Sequence, residues 1–244
     1  MKKVVKWGVI SIVTVLIVLV GFFGTFMFRN IVESKKMYPL PTEKVVPNVY
    51  AINNDFVNFF IVKAPQGFIA IDTGMYVKKT RKALNRLGID PNQVKAVLLT
   101  HTDSDHTGGL EVFPKAQVFI AKAEEQMVNG KIHRQLILNN KMARAHQCLA
   151  DRQRIKLAGL DVEGILTPGH TMGSMCYKID GKYLFVGDSM RLKDDKAALF
   201  NDFYNMDSAL QKKSLAVMAK VDGVQDVFTA HYGFSNHYKT LFTK

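Results

Sequence analysis

The stretch Thr100–Gly109, Thr-His-Thr-Asp-Ser-Asp-His-Thr-Gly-Gly, constrains this chain more than any other. Two histidines and two aspartates, His101, Asp103, Asp105 and His106, fall within six residues. An apolar run with one lysine, Val94–Leu99, leads into them, and a glycine pair follows. That order predicts a buried strand, a short loop crowded with donor side chains, and then a turn or helix start. A solvated loop does not need two imidazoles. A borderline divalent cation does, because it accepts neutral imidazole nitrogens and carboxylate oxygens. Taken alone, the cluster also fits an ordinary surface loop, so the question is whether the chain supplies further ligands at the same structural address.

Three more segments do so. Thr167-Pro168-Gly169-His170-Thr171, Gly187-Asp188 and Ala230-His231-Tyr232-Gly233 each follow an apolar or β-branched run. The ligand-type set is then His101, Asp103, Asp105, His106, His170, Asp188 and His231. Loops at one edge of packed sheets can converge on one site. Chance would have to bring four of the chain's seven histidines there independently. His133 and His146 lie in the Lys-, Arg- and Gln-rich segment Asn129–Asp151, which reads as a helical insertion. With no acidic or histidine neighbour at ligand spacing, they read as surface or packing histidines.

Around these loops the pattern predicts an antiparallel meander over Val45–Ile71, broken by Pro-Asn, Asn-Asn-Asp and Pro-Gln-Gly turns. Asp72-Thr73-Gly74 closes it as a turn whose aspartate could cap the next helix, Val77–Leu87, which stops at Gly88. Hairpins follow at Ile155–Leu166 and Met175–Val186, then an amphipathic helix at Asp207–Val221 and a last strand at Val224–Thr229. Arg191–Asn205 shows no clear element. The order suggests two similar halves, each strands and then helix.

The amino-terminal part obeys different rules. Trp7–Phe28 holds no charged residue and is preceded by Lys2, Lys3 and Lys6. As a helix it spans about 33 Å, enough for a hydrocarbon core of about 30 Å. Its bulky end, Phe26-Met27-Phe28-Arg29, lacks the small residues of a cleavage site, so an uncleaved anchor is expected. The nearest charges favour a cytoplasmic amino terminus and an extracytoplasmic domain at the cell membrane. The predicted organisation is a basic terminus at 1–6, an anchor at 7–28, a proline-containing linker at 29–42 and one domain at 43–244. The net charge of +12 suits phospholipid, cell-envelope polymer or an acidic substrate. The basic residues are dispersed and no nucleic-acid motif is present, so nucleic acid is not favoured. Cys148 and Cys176, the only cysteines, have no CxxC spacing and read as small apolar residues.

As a set, Ile71-Asp72-Thr73-Gly74, THTDSDHTGG, TPGHT, Gly187-Asp188 and AHYG resemble the metallo-β-lactamase superfamily, in its glyoxalase II-like branch. The resemblance implies an α+β fold, the αβ/βα sandwich of two mixed β-sheets flanked by helices. It implies two divalent metal ions. The first would take His101, Asp103 and His170, and the second Asp105, His106 and His231, with Asp188 between them. Asp72 matches a structural position, not a ligand. Position 103 departs from the pattern, because the family usually has histidine there. A third carboxylate lowers the formal charge of the site, which admits iron or manganese beside the expected zinc.

The implied activity is metal-assisted hydrolysis of an ester, thioester, lactone or phosphoester, with a water of lowered pKa as nucleophile. Asp105 would orient that water, and Tyr232, Tyr204 and His237 are candidate proton donors or oxyanion helpers. The carboxylate at 103 also admits a non-haem di-iron or sulfur-handling oxidoreductase of the same fold. A non-catalytic binding module is the third reading, opposed by the intact ligand set. The substrate class expected is a small molecule or a lipid or cell-envelope component.

Overall fold

The computed structural model describes residues 2–134 and 140–243 and divides into two compact units, Met1–Met37 and Tyr38–Lys244. The first is a single helix, α1 (Lys2–Ser34), about 50 Å long at 1.5 Å per residue. It runs past the predicted end at Phe28, because no glycine or proline stops it before Pro39. Lys36 and Glu33 pair at 2.8 Å where it ends. Among the described residues, Val13–Ser34 is long and apolar enough to cross a membrane by length and composition.

The second unit begins with an antiparallel meander, β1 (Glu43–Val46), β2 (Val49–Asn54), β3 (Val57–Ala64) and β4 (Gly67–Ile71). Then come α2 (Val77–Leu87), β5 (Val94–Leu98), the one-turn α3 (Ser104–Thr107), β6 (Gln117–Ala121), α4 (Glu125–Val128) and β7 (Gln147–Leu149). The second half contains β8 (Arg154–Leu157), β9 (Leu160–Leu166), β10 (Met175–Ile179), β11 (Tyr183–Gly187), β12 (Arg191–Lys193) and β13 (Lys196–Ala198). It closes with α5 (Ser208–Met218), β14 (Asp226–Thr229) and β15 (Phe234–Ser235).

Two mixed sheets result. One has the order β1-β2-β3-β4-β5-β6-β7, and the other β15-β14-β11-β10-β9-β8. The alternation of β3 explains the layering. Phe60 and Val62 face a core shared with Tyr177, Phe185 and Phe228 of the second sheet. Phe59 and Ile61 face the other way, into a core with Ala83 and Leu84 of α2. That helix buries Thr80, Ala83 and Leu84, one face at the 3.6-residue period, and stops at Gly88 in the left-handed region.

Three expectations change. First, Asn129–Asp151 is not helical where described, and residues 135–139 lie outside the described residues. Gly130, with φ of 74°, closes α4, and β7 pairs in parallel with β6 as an edge strand. Second, Arg191–Asn205 contains the β12–β13 hairpin. Its two-residue turn, Asp194-Asp195, takes φ of 50° and 55°, as a primed turn requires. Third, the segment from Tyr38 is not a free spacer. Tyr38 N donates to His231 O at 2.9 Å, and the Leu40 carbonyl accepts from Asn53 Nδ2 at 3.1 Å and Asn58 Nδ2 at 2.9 Å.

Candidate metal centre

Every predicted ligand lies just beyond the carboxyl end of a strand. The loop after β5 carries His101 and Asp103 and turns into α3 with Asp105 and His106. His170 follows β9, Asp188 follows β11 and His231 follows β14. The seven meet at one edge of the sandwich, and donor atoms of three subsets lie within 4.8 Å of one another: His101, Asp103 and His170; His101, His106 and Asp188; Asp105, His106 and His231.

Asp188 stands between two groups of donors. Its Oδ2 lies 3.3 Å from His170 Nε2. Its Oδ1 lies 3.2 Å from His231 Nε2 and 3.6 Å from His106 Nε2. Asp105 Oδ2 completes the latter group, at 3.4 Å from His231 Nε2 and 3.6 Å from His106 Nε2. In the other group Asp103 Oδ2 lies 3.5 Å from His101 Nε2 and 3.3 Å from His170 Nε2.

Partners behind the rings fix which nitrogen faces inward. His231 Nδ1 is 2.7 Å from the Phe56 carbonyl, so it donates and leaves the Nε2 lone pair for the centre. His106 Nδ1 meets Asp72 Oδ2 at 2.8 Å. Asp72 also accepts from Thr100 N and Thr100 Oγ1, both at 2.8 Å. These three bonds hold a non-glycine residue at φ of 61°. Asp72 is therefore a support for the loop and for His106. It does not cap α2, whose N-cap position is Tyr76.

Glu124 was not singled out from sequence, yet it joins both halves of the site. Fully buried, it accepts from Thr102 N and Oγ1 at 2.9 and 2.7 Å, and from Thr171 Oγ1 and Gly173 N at 2.7 and 3.1 Å. Thr102 and Thr171 adjoin His101 and His170, so one carboxylate sets both histidine loops. Thr171 N donates to Ser174 Oγ at 2.9 Å, which shapes the turn around His170 as expected. Arg134 and Asn140 also escaped the sequence reading, since nothing marks them within a segment rich in cationic and polar residues. Arg134 Nη2 is 2.9 Å from Asp103 Oδ2, and Asn140 Nδ2 donates to Asp103 Oδ1 at 2.6 Å.

These charges decide protonation. Burial opposes ionisation of Asp103, but Arg134 and His101 override it and hold its carboxyl well below the ordinary range. Burial likewise opposes Asp188, while His231, His106 and His170 hold it low. Burial and then Arg134 push His170 down to about 4. His106 is the reverse case. Burial lowers its pKa, but Asp72, Asp105 and Asp188 together raise it to about 10. His231 is raised, against the burial effect, chiefly by Asp188.

Of the candidate proton donors, Tyr232 is buried beside the centre, with its ring 5.8 Å from Phe200. Burial raises the pKa of its phenol, so it stays protonated at neutral pH. The Tyr204 ring packs on Phe200 and Phe203. Phe200 walls the site, 5.1 Å from the His170 ring and 5.6 Å from that of His231. His237 is exposed and precedes a short 3₁₀ turn, so it is not part of the centre. His133 is exposed. The fold gives His146 the neighbours its sequence lacks, Glu125 and Cys148, in a half-open group. Cys176 is buried against Met218.

The profile of the metallo-β-lactamase superfamily matches residues 52–126, which include the THTDSDHTGG loop. A probable polyketide biosynthesis zinc-dependent hydrolase, BaeB, of Bacillus velezensis is 30% identical over 131 residues, 52% of each chain. A hydroxyacylglutathione hydrolase of Klebsiella pneumoniae is 34% identical over 103 residues, 40% of this chain and 34% of its own. This chain thus spans about half or less of the length of these curated relatives. Among solved structures, a metallo-β-lactamase of Cronobacter sakazakii superposes with a TM-score of 0.63 at 23% identity, covering 80% of this chain and 79% of its own. At that identity the likeness is one of fold. Sheet order, the loop address of the seven donors and these matches agree: residues 52–126 match the metallo-β-lactamase superfamily, and the chain has the metallo-β-lactamase fold.

Proposed function

We propose that this protein is a membrane-anchored, metal-dependent hydrolase acting on an ester, thioester, lactone or phosphoester. One observation carries the reading. Four buried atoms at the centre have no hydrogen-bond partner among the described residues: His101 Nε2, His106 Nε2, His231 Nε2 and Asp188 Oδ1. Buried polar groups are ordinarily satisfied, so unpartnered ligand atoms converging on one point fit a cation. Asp105, His106, His231 and Asp188 would hold a divalent metal, and His101, Asp103 and His170 form the neighbouring group of ligand-type residues. Zinc is favoured by the imidazole-rich set and by the zinc-dependent relative. A divalent ion there supplies Lewis-acid polarisation and a water of lowered pKa.

The chain's own residues do the rest. Asp105, less buried than the histidines, orients the attacking water and accepts its proton. Phe200 excludes bulk water from one side. Tyr232, held as a phenol, donates a proton to the leaving group. The helix α1 keeps the domain at a membrane, and the positive charge favours an anionic or envelope-derived substrate. The oxidoreductase reading loses support, because the extra charge of Asp103 is already balanced by Arg134.

Metal analysis of the purified full chain, followed by assays on bis-p-nitrophenyl phosphate, thioesters, lactones and nitrocefin, tests this. Bound zinc with turnover of one of the first three classes is the expected result. Redox-active iron with no hydrolysis of any class would refute it.

A further inference from the structure

The two groups of donors are not equivalent. Among the described residues, both imidazole Nε2 atoms and Asp188 Oδ1 around Asp105, His106 and His231 lack hydrogen-bond partners. Around His101, Asp103 and His170, His101 Nε2 alone lacks a partner among the described residues. The difference is Arg134. This side chain is buried, 7% exposed as a residue, and fixed on several sides. Nη1 donates to the His170 carbonyl at 2.5 Å, and Nη2 donates to the Tyr204 carbonyl at 2.7 Å. The same Nη2 lies 2.9 Å from Asp103 Oδ2 and 3.4 Å from His170 Nε2. Asp103 Oδ2 and His170 Nε2 are the atoms that would face a metal in this group, at 3.3 Å from each other. Asn140 takes the other Asp103 oxygen. A guanidinium is charged at all working pH values, and its fork of donors is fixed once several are engaged.

We propose that Arg134 is the resident cation of the first metal position, so that the protein holds one tightly bound divalent ion, at Asp105, His106, His231 and Asp188. Two physical reasons support this. An ion bonded to His170 Nε2 at about 2.0–2.1 Å would sit close to a permanent positive charge in a buried site, and the two repel. It would also have to compete with Arg134 for Asp103 Oδ2. Asp103 then has a reason to be aspartate. A histidine there would leave a buried guanidinium without its counter-ion, which is strongly unfavourable. Asp103 and Arg134 act as one unit, replacing a metal and its ligand by an internal ion pair. Arg134 is thus a positioning residue that sets metal stoichiometry.

The inference rests on the metal-dependent reading above, and metal counting separates their failures. The full chain in detergent micelles is loaded with excess Zn²⁺, desalted and analysed by mass spectrometry for metal per chain. One zinc is expected in the wild type and in Arg134→Lys, and two in Arg134→Met. Chelator competition on the wild-type background gives a second measurement that needs no Arg134 variant. His231→Ala is expected to weaken the tight ion at least tenfold, while His170→Ala changes it less than threefold. Two tight zincs in the wild type, or equal losses in the two histidine variants, overturn the inference and leave the hydrolase reading standing. No zinc in any of the proteins overturns both.

Discussion

At the residue scale, the electrostatics of the centre make a prediction about protons. In the metal-free protein His106 faces Asp72 on one side and Asp105 and Asp188 on the other, with His231 and His101 also beside it. Burial disfavours its charged form, yet the three carboxylates raise its pKa from 6.5 to about 10. The folded value exceeds the unfolded one. Its stabilising contribution is therefore complete below about pH 6.5 and is lost as the pH climbs through about 10. A metal at the same ring must displace that proton, so metal affinity rises with pH over the same window, about tenfold per unit for one proton. Chelator competition between pH 7 and 9 checks the slope, and thermal melts of metal-stripped protein check the loss of stability. An affinity independent of pH would mean that His106 is already neutral in the free protein.

Elements set the precision of the site through close contacts between loops and helices. The turn carrying His170 is pressed against the first turn of α5. Gly169 takes φ of 139°, and a Cβ there would lie 2.4 Å from Gln211 N and 2.5 Å from Gln211 Cα. Gln211 also donates to the Asp188 carbonyl at 2.9 Å, so α5 buttresses two ligand loops together. Gly169→Ala is expected to cost about 2–4 kcal/mol, through backbone strain and the displaced helix, and to lower the melting temperature by roughly 5–15 °C. Differential scanning fluorimetry of the full chain reads this, and an unchanged melting temperature would refute the contact. What the sequence disclosed follows the same division. Strand-then-ligand order was legible at His101, His170, Asp188 and His231, because alternation and apolar runs mark strands and the loop residues are chemically conspicuous. Glu124, Arg134 and Asn140 were not, because their roles arise from neighbours up to 70 positions away in the chain. The β12–β13 hairpin was missed because its turn uses two aspartates at positive φ, where Asn-Gly or Asp-Gly is the usual signal.

On the scale of the whole molecule, a charged, hydrogen-bonded centre in one unit is joined to an apolar helix in the other. Helix α1 presents Leu16, Ile17, Val20 and Phe22 exposed along its length, an apolar row that a membrane span or a signal sequence would carry. A bilayer would satisfy that row, and a helix would satisfy its own backbone there. Three lysines precede the span, whereas Arg29, Lys35 and Lys36 lie at or beyond its far end, so the charge bias is small and rests on the residues nearest the amino terminus. The expected arrangement is amino terminus inside and domain outside. Carboxyl-terminal fusions to alkaline phosphatase and to a green fluorescent protein distinguish the two orientations, since the first is active only outside and the second fluoresces only inside. An active phosphatase fusion that stays in carbonate-washed membranes with residues 1–37 still attached supports the anchor and its direction. A fluorescent fusion reverses the direction, and release of a shortened chain into the soluble fraction replaces the anchor by a cleaved signal. Shifting the bias should follow the same logic: adding two lysines after Met37 while removing Lys2 and Lys3 is expected to lower phosphatase activity several-fold by inverting part of the population.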